Sequence, residues 1–246
     1  MRTTFASLVA VVAAAASVKA DRTFVVKNNA IFTSGGTALA YPTGWQADPG
    51  SSVSFGVAEN WNGRIWGLTQ CDFTTGAVAP NEICVTGGRN GGLQCATSGG
   101  TGVPPASLAE FNLNDSQDWL DVSLVDGFNL PIAITNNVGC PAPSCAFNIN
   151  TVCPAVLSVF NNAGETVGCY TACSANLDGN PQDSANCCSG SHSTPATCPT
   201  SGVQYYDVYK SHCSDAYAYA YDESSQSALW TCDHSLGADY TITFCP

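Results

Sequence analysis

Short runs of alternating apolar and polar residues, separated by turn residues, fill much of the chain. TFVVKN (23–28), TALAYPTGW (37–45), SSVSFGVAEN (51–60) and GRIWGLTQ (63–70) each read as a β-strand, at the spacing of hairpins. The pattern lapses over residues 71–105, where Gly, Pro and Cys accumulate without periodicity, and this reads as a cysteine-stapled loop region. It returns over residues 106–135, where FNLPIAITN closes the run. Residues 140–213 hold most of the cysteines, and ETVGCYTACSANL (165–177) is the best helix candidate there, with Cys169 and Cys173 at i and i+4. DAYAYAYDE (215–223), LWTC (229–232) and DYTITFCP (239–246) read as strands again. The pattern predicts a mainly-β body carrying a disulfide-rich insertion.

One stretch combines strand-forming residues with charge. In WLDVSLVDGFN (119–129), Trp119, Leu120, Val122, Leu124, Val125 and Phe128 suit a pleated sheet, yet Asp121 and Asp126 sit among them. Burying an unpaired carboxylate costs several kcal/mol, as an order of magnitude. In one continuous strand these acids would face opposite sides. Asp126-Gly127 is a turn signal, however, so the strand is expected to end near Val125. Asp121 then points out of the sheet and Asp126 emerges at its end.

The first twenty residues, MRTTFASLVAVVAAAASVKA, change the picture of the whole chain. Arg2, an Ala/Val-rich middle and small residues before Ala20 make a secretory signal peptide, with cleavage expected after Ala20. The apolar run is too short to span a bilayer, and no other segment is long and apolar enough. Without Arg2 and Lys19, five basic residues face 19 acidic ones, a formal charge of −14. A surface so poor in Lys and Arg excludes nucleic acid, because binding phosphates requires cations that displace counterions. It also disfavours adsorption to anionic lipid.

All 14 cysteines follow the signal segment, and an even count in a secreted chain points to seven disulfides. Zinc is a poor rival: His192, His212 and His234 are scattered and no pair of Cys-x-x-Cys motifs exists. No metal or cofactor is expected. Asn114-Asp115-Ser116 is the one N-glycosylation sequon, in polar surroundings that suit a surface loop. No G-x-S-x-G elbow supports a serine hydrolase.

Several motifs recur in an order that is specific to one family. GRIWGLTQCDF (63–73), PPASLAEF (104–111), DVSLVDGFNLP (121–131), GC-x4-C (139–145), CP-x-V-L (153–157), Cys187-Cys188, CSDAYAYAYD (213–222) and the terminal TFCP together resemble the thaumatin-like family, the osmotin-like proteins of pathogenesis-related group 5. A member of fungal type is expected. The resemblance covers nearly everything after the signal segment. It implies an antiparallel β-sandwich (21–70, 96–145 and 214–246), a small disulfide loop region (71–95) and a cysteine-rich lobe (146–213) with a short helix, with a cleft between sandwich and lobe.

By position the resemblance implies bridges Cys140–Cys232, Cys145–Cys213, Cys153–Cys169, Cys173–Cys187 and Cys188–Cys198. Ala30 and Arg89 stand where the family usually has cysteines, a departure that orphans Cys95 and Cys245. Either these two pair with each other while Cys71–Cys84 persists, or Cys71–Cys245 forms beside Cys84–Cys95.

Glucan-binding members of the family share an arginine, a glutamate and three aspartates in the cleft. The matching positions here are Arg64, Glu110, Asp121, Asp126 and Asp215. Glycoside hydrolysis needs one protonated and one ionised carboxyl group, and crowded carboxylates raise one another's pKa. Glu110 is the expected proton donor and Asp126 the base, with Arg64, Asp121 and Asp215 positioning the sugar or tuning those two. Phe128, Tyr205, Tyr206, Tyr217 and Tyr219 could stack on sugar faces, although the alternating tyrosines suit packing on one strand face. The resemblance therefore implies a secreted, wall-associated monomer whose acidic cleft binds β-1,3-glucan or a related wall polysaccharide, with weak endo-hydrolysis and binding without cleavage both left open. The competing classes are a defence protein acting on membranes and a non-enzymatic wall or inhibitor protein.

Overall fold

A computed structural model describes residues 22–28, 32–36, 43–73, 83–88, 93 and 102–246, with backbone only for 32–36. The expected signal segment lies outside the described residues, as do Ala30, Arg89 and Cys95.

The alternation seen in the sequence builds two packed sheets. One has five strands in the order β11 (Ser144–Cys145), β10 (Ile132–Asn136), β16 (Tyr240–Phe244), β1 (Arg22–Asn28) and β4 (Ser52–Val57). All its pairings are antiparallel except β1 with β16, which run parallel. The seven-stranded second sheet follows β14 (Ala216–Tyr217), β9 (Gln117–Ser123), β8 (Leu108–Leu113), β5 (Asn62–Gly67), β2 (Phe32–Gly36) and β3 (Gly44–Trp45). Its remaining strand, β15 (Trp230–Asp233), also pairs with β9.

Because side chains alternate between faces, each strand offers one apolar row to the space between the sheets. Phe24, Val26, Ile134, Tyr240 and Ile242 of the first sheet meet Ile65, Phe111, Leu120 and Val122 of the second, all buried. Aromatic edges lock this core, with the Phe24 and Phe111 centroids 4.7 Å apart and Phe111 and Tyr240 5.2 Å apart. One polar cluster is embedded in it: buried Asp118 accepts from Tyr240 Oη at 2.8 Å and lies 3.5 Å from the Arg22 guanidinium.

Outside the sandwich, β6 (Thr69–Cys71) and β7 (Cys84–Thr86) form a ribbon joined by Cys71–Cys84 over a small core of Trp66, Leu68, Ile83, Ala106 and Leu108. This bridge removes the second of the two cysteine alternatives; Cys95, needed for the other half of the first, lies outside the described residues. The disulfide-rich lobe contains the hairpin β12 (Ser158–Phe160) and β13 (Thr166–Cys169), several 3-10 turns and the helix α1 (Tyr206–Lys210). Cys153–Cys169, Cys173–Cys187 and Cys188–Cys198 staple it internally, while Cys145–Cys213 ties it to β11 and Cys140–Cys232 joins the two sheets' edges. Among the described residues, no helix is long and apolar enough to cross a membrane.

Two expectations about local structure are corrected. ETVGCYTACSANL is not a helix: Thr166–Cys169 is strand β13, and turns follow it. Its two cysteines are bridged to different parts of the lobe, Cys169 to Cys153 and Cys173 to Cys187, which breaks the common face that a helix would need. DAYAYAYDE is a strand only at Ala216–Tyr217 and becomes a 3-10 turn at Asp222–Ser225. Its tyrosines therefore share no strand face. Tyr219 is buried with Cys188 and Cys198, and Tyr221 Oη donates to Ser193 O at 2.7 Å.

Candidate functional site

The antiparallel register places three charged residues in one row across adjacent strands. Arg64 on β5 faces Glu110 on β8, and Glu110 faces Asp121 on β9. All three project from the outer face of the second sheet, since Ile65, Ala109, Phe111, Leu120 and Val122 occupy its inner face. The Arg64 guanidinium lies 3.0 Å from Glu110 Oε1.

The turn expected at Asp126-Gly127 forms as the strand ends at Ser123. Gly127 N donates to Leu124 O at 2.9 Å, and Gly127 takes φ +95°, a region that side chains disfavour. A Cβ there would lie 2.5 Å from Cys169 O, so the turn packs directly on the lobe. Phe128 and Cys169 exchange backbone hydrogen bonds of 2.7 and 2.8 Å. Asp126 is thereby presented at the strand end, beside the row of three.

A cleft of ≈ 380 Å³ covers this row, lined by Arg64, Glu110, Asp121, Ser123, Asp126, Tyr217 and Glu223 together with Leu108, Val125 and Ala220. Four of the five residues expected to gather do so: Arg64, Glu110, Asp121 and Asp126. Asp215 is not among the lining residues. It precedes the two-residue β14, its Oδ1 accepts from Ser214 Oγ at 2.9 Å, and its backbone carbonyl accepts from Trp230 Nε1 at 3.1 Å. Glu223, which the sequence reading missed, supplies the acid of that wall. The adjacent acids Asp222-Glu223 were the available signal, obscured by reading the whole tyrosine run as a strand.

Glu223 is held out to the cleft by a buried neighbour. Asp222 accepts from Tyr206 Oη at 2.8 Å and from Ala218 N at 2.8 Å, and pairs with Lys210 Nζ at 3.1 Å. Asp222 is thus anchored inward by three partners, while the exposed Glu223 beside it faces the cleft.

Phe128 is corrected as a sugar-binding candidate. It is fully buried in the main core, because its backbone bridge to Cys169 directs the ring inward, and no ligand can reach it. Tyr217 does line the cleft, whereas Tyr205 and Tyr206 lie outside it. The sequon residue Asn114 sits in the β8–β9 turn, where its Oδ1 accepts from Ser116 N, Ser116 Oγ and Gln117 N at 2.9–3.1 Å.

Crowding and burial shift the acids upward. Asp121 is pushed well above the usual aspartate range, first by burial and then by repulsion from Glu110, with Arg64 opposing. Its Oδ1 is buried without a hydrogen-bond partner. Glu110 is raised by burial and by Asp126, against the pull of Arg64 and a hydrogen bond from Ser123. Asp126 is raised by burial, again with Arg64 opposing. The Tyr217 hydroxyl is held neutral by burial and by Glu223, to which it hydrogen-bonds. Burial thus favours the protonated form of all three acids while Arg64 opposes it at each, the kind of contest that sets up proton transfer to a bound ligand. Among the described residues no group of His, Cys, Asp and Glu is placed to hold a metal ion.

The sequence and the fold match known proteins. The Thaumatin family profile matches residues 24–246. The chain belongs to the thaumatin family. Its relatives include pathogenesis-related thaumatin-like protein 3.5 of Cryptomeria japonica, 42% identical over 86% of this chain and 81% of that protein. Thaumatin-like protein 1 of Pyrus pyrifolia is 42% identical over 87% of this chain and 84% of its own length. A Prunus avium relative named glucan endo-1,3-beta-glucosidase is 38% identical over 83% of this chain and 79% of that protein. These thaumatin-family relatives are plant proteins, and the expected fungal type finds no support among them. A laminaripentaose-producing β-1,3-glucanase, solved with laminaritetraose, shares the fold at TM-score 0.58 and 13% identity, over 93% of this chain and 99% of that one.

Proposed function

We propose that this thaumatin-family chain is a secreted protein whose cleft binds β-1,3-glucan of cell walls and hydrolyses it. The observation carrying this reading is the row Arg64–Glu110–Asp121, with Asp126 and Glu223 facing the same cleft. The Prunus avium relative's name supports the choice of glucan. The signal-like first twenty residues and the six disulfides support secretion.

The proton donor in this reading is Asp121 rather than Glu110. Arg64 stands 3.0 Å from Glu110 and favours its ionised form, whereas Asp121 has an orphaned buried oxygen and lies one strand farther from that cation. Protonated Asp121 gives its proton to the glycosidic oxygen, and ionised Asp126 acts from the strand end as base or nucleophile. Glu110, Glu223 and Arg64 hold sugar hydroxyls.

Sedimentation with insoluble β-1,3-glucan followed by a reducing-sugar assay tests both parts. The wild type is expected to sediment with the glucan and release reducing sugar. Asp121→Asn and Asp126→Asn are expected to sediment but release sugar about 10²–10⁴-fold more slowly. Binding without release would reduce the protein to a wall binder, and absence of binding would overturn the glucan reading.

A further inference from the structure

The outer face of the second sheet grades from covered to open along the strands. Trp66, Leu108 and Ser123 form a buried row. Arg64, Glu110 and Asp121 form the half-buried row of the cleft floor. The next row consists of Asn62, Asn112 and Trp119, all exposed, and Thr231 of β15 stands beside Trp119. Trp119 shares its face with Asp121 two residues along β9, about 7 Å away at the rise of a strand. The indole thus lies just beyond the lining of the cleft, one row past Asp121 on the same face.

Trp119 is 37% exposed, although β9 could have buried a residue of its size. All five tryptophans are described, and it is the one classed as exposed; Trp61 and Trp66 are at most 1% accessible. Its cross-strand neighbours are polar: Asn112 lies opposite on one side and Thr231 on the other. An exposed ring flanked by an amide and a hydroxyl matches a pyranose, whose apolar C–H face stacks on the ring while its rim hydroxyls take hydrogen bonds. A partner protein would more often meet a contiguous apolar patch than a single ring among polar side chains.

We propose that Trp119 is a sugar-stacking platform that extends the glucan site by one subsite beyond the acidic row. This inference rests on the glucan reading of the cleft. A chain lying across the Arg64–Glu110–Asp121 row continues over Asn112 and Trp119, so the platform serves longer oligosaccharides and leaves those that fill the cleft alone unaffected.

The test uses the full mature protein with a β-1,3-linked trisaccharide and hexasaccharide, read by titration and by iodide quenching of tryptophan fluorescence. The hexasaccharide is expected to shield wild-type fluorescence from iodide, and this effect should be absent from Trp119→Phe if the ring responsible is the indole. Trp119→Ala should weaken hexasaccharide affinity about tenfold, equivalent to about 1.4 kcal/mol, with trisaccharide affinity unchanged. Trp119→Phe, which keeps a ring, should recover most of the loss. Equal hexasaccharide affinity in wild type and Trp119→Ala, or no shielding in the wild type, overturns the platform while leaving the cleft reading intact. Failure of either oligosaccharide to bind wild type overturns the cleft reading and the platform with it.

Discussion

Glu110 and Asp121 stand directly opposite each other on adjacent antiparallel strands, and only Glu110 has the Arg64 guanidinium beside it, at 3.0 Å. Two acids in one row therefore have unequal environments, the condition under which one remains protonated while the other ionises. The inequality comes from sheet register: a one-residue slip of β9 would send Asp121 into the core and Val122 into the cleft.

This arrangement costs stability in a way that pH reveals. Burial, Glu110 and Glu223 raise Asp121 in the folded protein, with Arg64 opposing, so the native state binds its proton more tightly than the unfolded chain does. Stability is then lost as pH rises from the unfolded value, about 3.9, towards and through the raised folded value. Asp121→Asn abolishes this titration. Its Tm relative to wild type is expected to be higher near neutral pH than in acid, with the neutral-pH gain disappearing at about pH 3, below the ordinary aspartate range. A difference that does not change with pH would show that Asp121 titrates normally.

Glu223 and Asp215 separate what the structure places in the cleft from what the sequence suggested. A hydrogen bond to a charged group contributes about 1.5–3 kcal/mol, so Glu223→Gln is expected to weaken oligosaccharide binding by about tenfold or more. Asp215→Asn, outside the lining, should leave affinity within about twofold, since its nearest partner is Ser214. Isothermal titration of the two variants decides the matter, and the reverse order of effects would return Asp215 to the site.

Much of the fold was legible because burial alternates so regularly. Phe24, Val26 and Asn28 are buried on β1 while Thr23 and Lys27 are exposed, the period that marks a strand in the sequence itself. Asp126-Gly127 likewise announced its turn. Glu110 and Arg64 had no such local mark; only the family resemblance joined them to Asp121, because strand pairing between distant segments leaves no trace in periodicity. The lobe was read least well. Helix α1 is five residues long, below the window in which a helical period shows, and β14 is two residues long. Where disulfides rather than apolar stripes hold the chain, hydrophobic pattern carries little information. Phe128 was misjudged for a related reason: its burial follows from a backbone bridge to Cys169, 41 positions away in sequence.

The disulfides should contribute unequally, according to the loops they close. Cys140–Cys232 joins residues 92 positions apart, whereas Cys188–Cys198 closes a separation of 10. Constraint of the unfolded chain grows with the logarithm of loop length, which gives about 4–5 kcal/mol for the first bridge and about 3 kcal/mol for the second. Replacing each pair by serine and measuring guanidinium unfolding should therefore lower the midpoint more for Cys140/Cys232 than for Cys188/Cys198. The six bridges account for twelve of the 14 cysteines and leave Cys245 and Cys95, the latter outside the described residues, whose pairing with each other is the expectation that remains. Non-reducing peptide mapping is expected to recover that pair, together with Cys71–Cys84. A thiol titrating at Cys95 would break the assignment, and a larger midpoint loss for Cys188/Cys198 would show that native packing in the lobe, rather than loop closure, sets the contribution of its bridges.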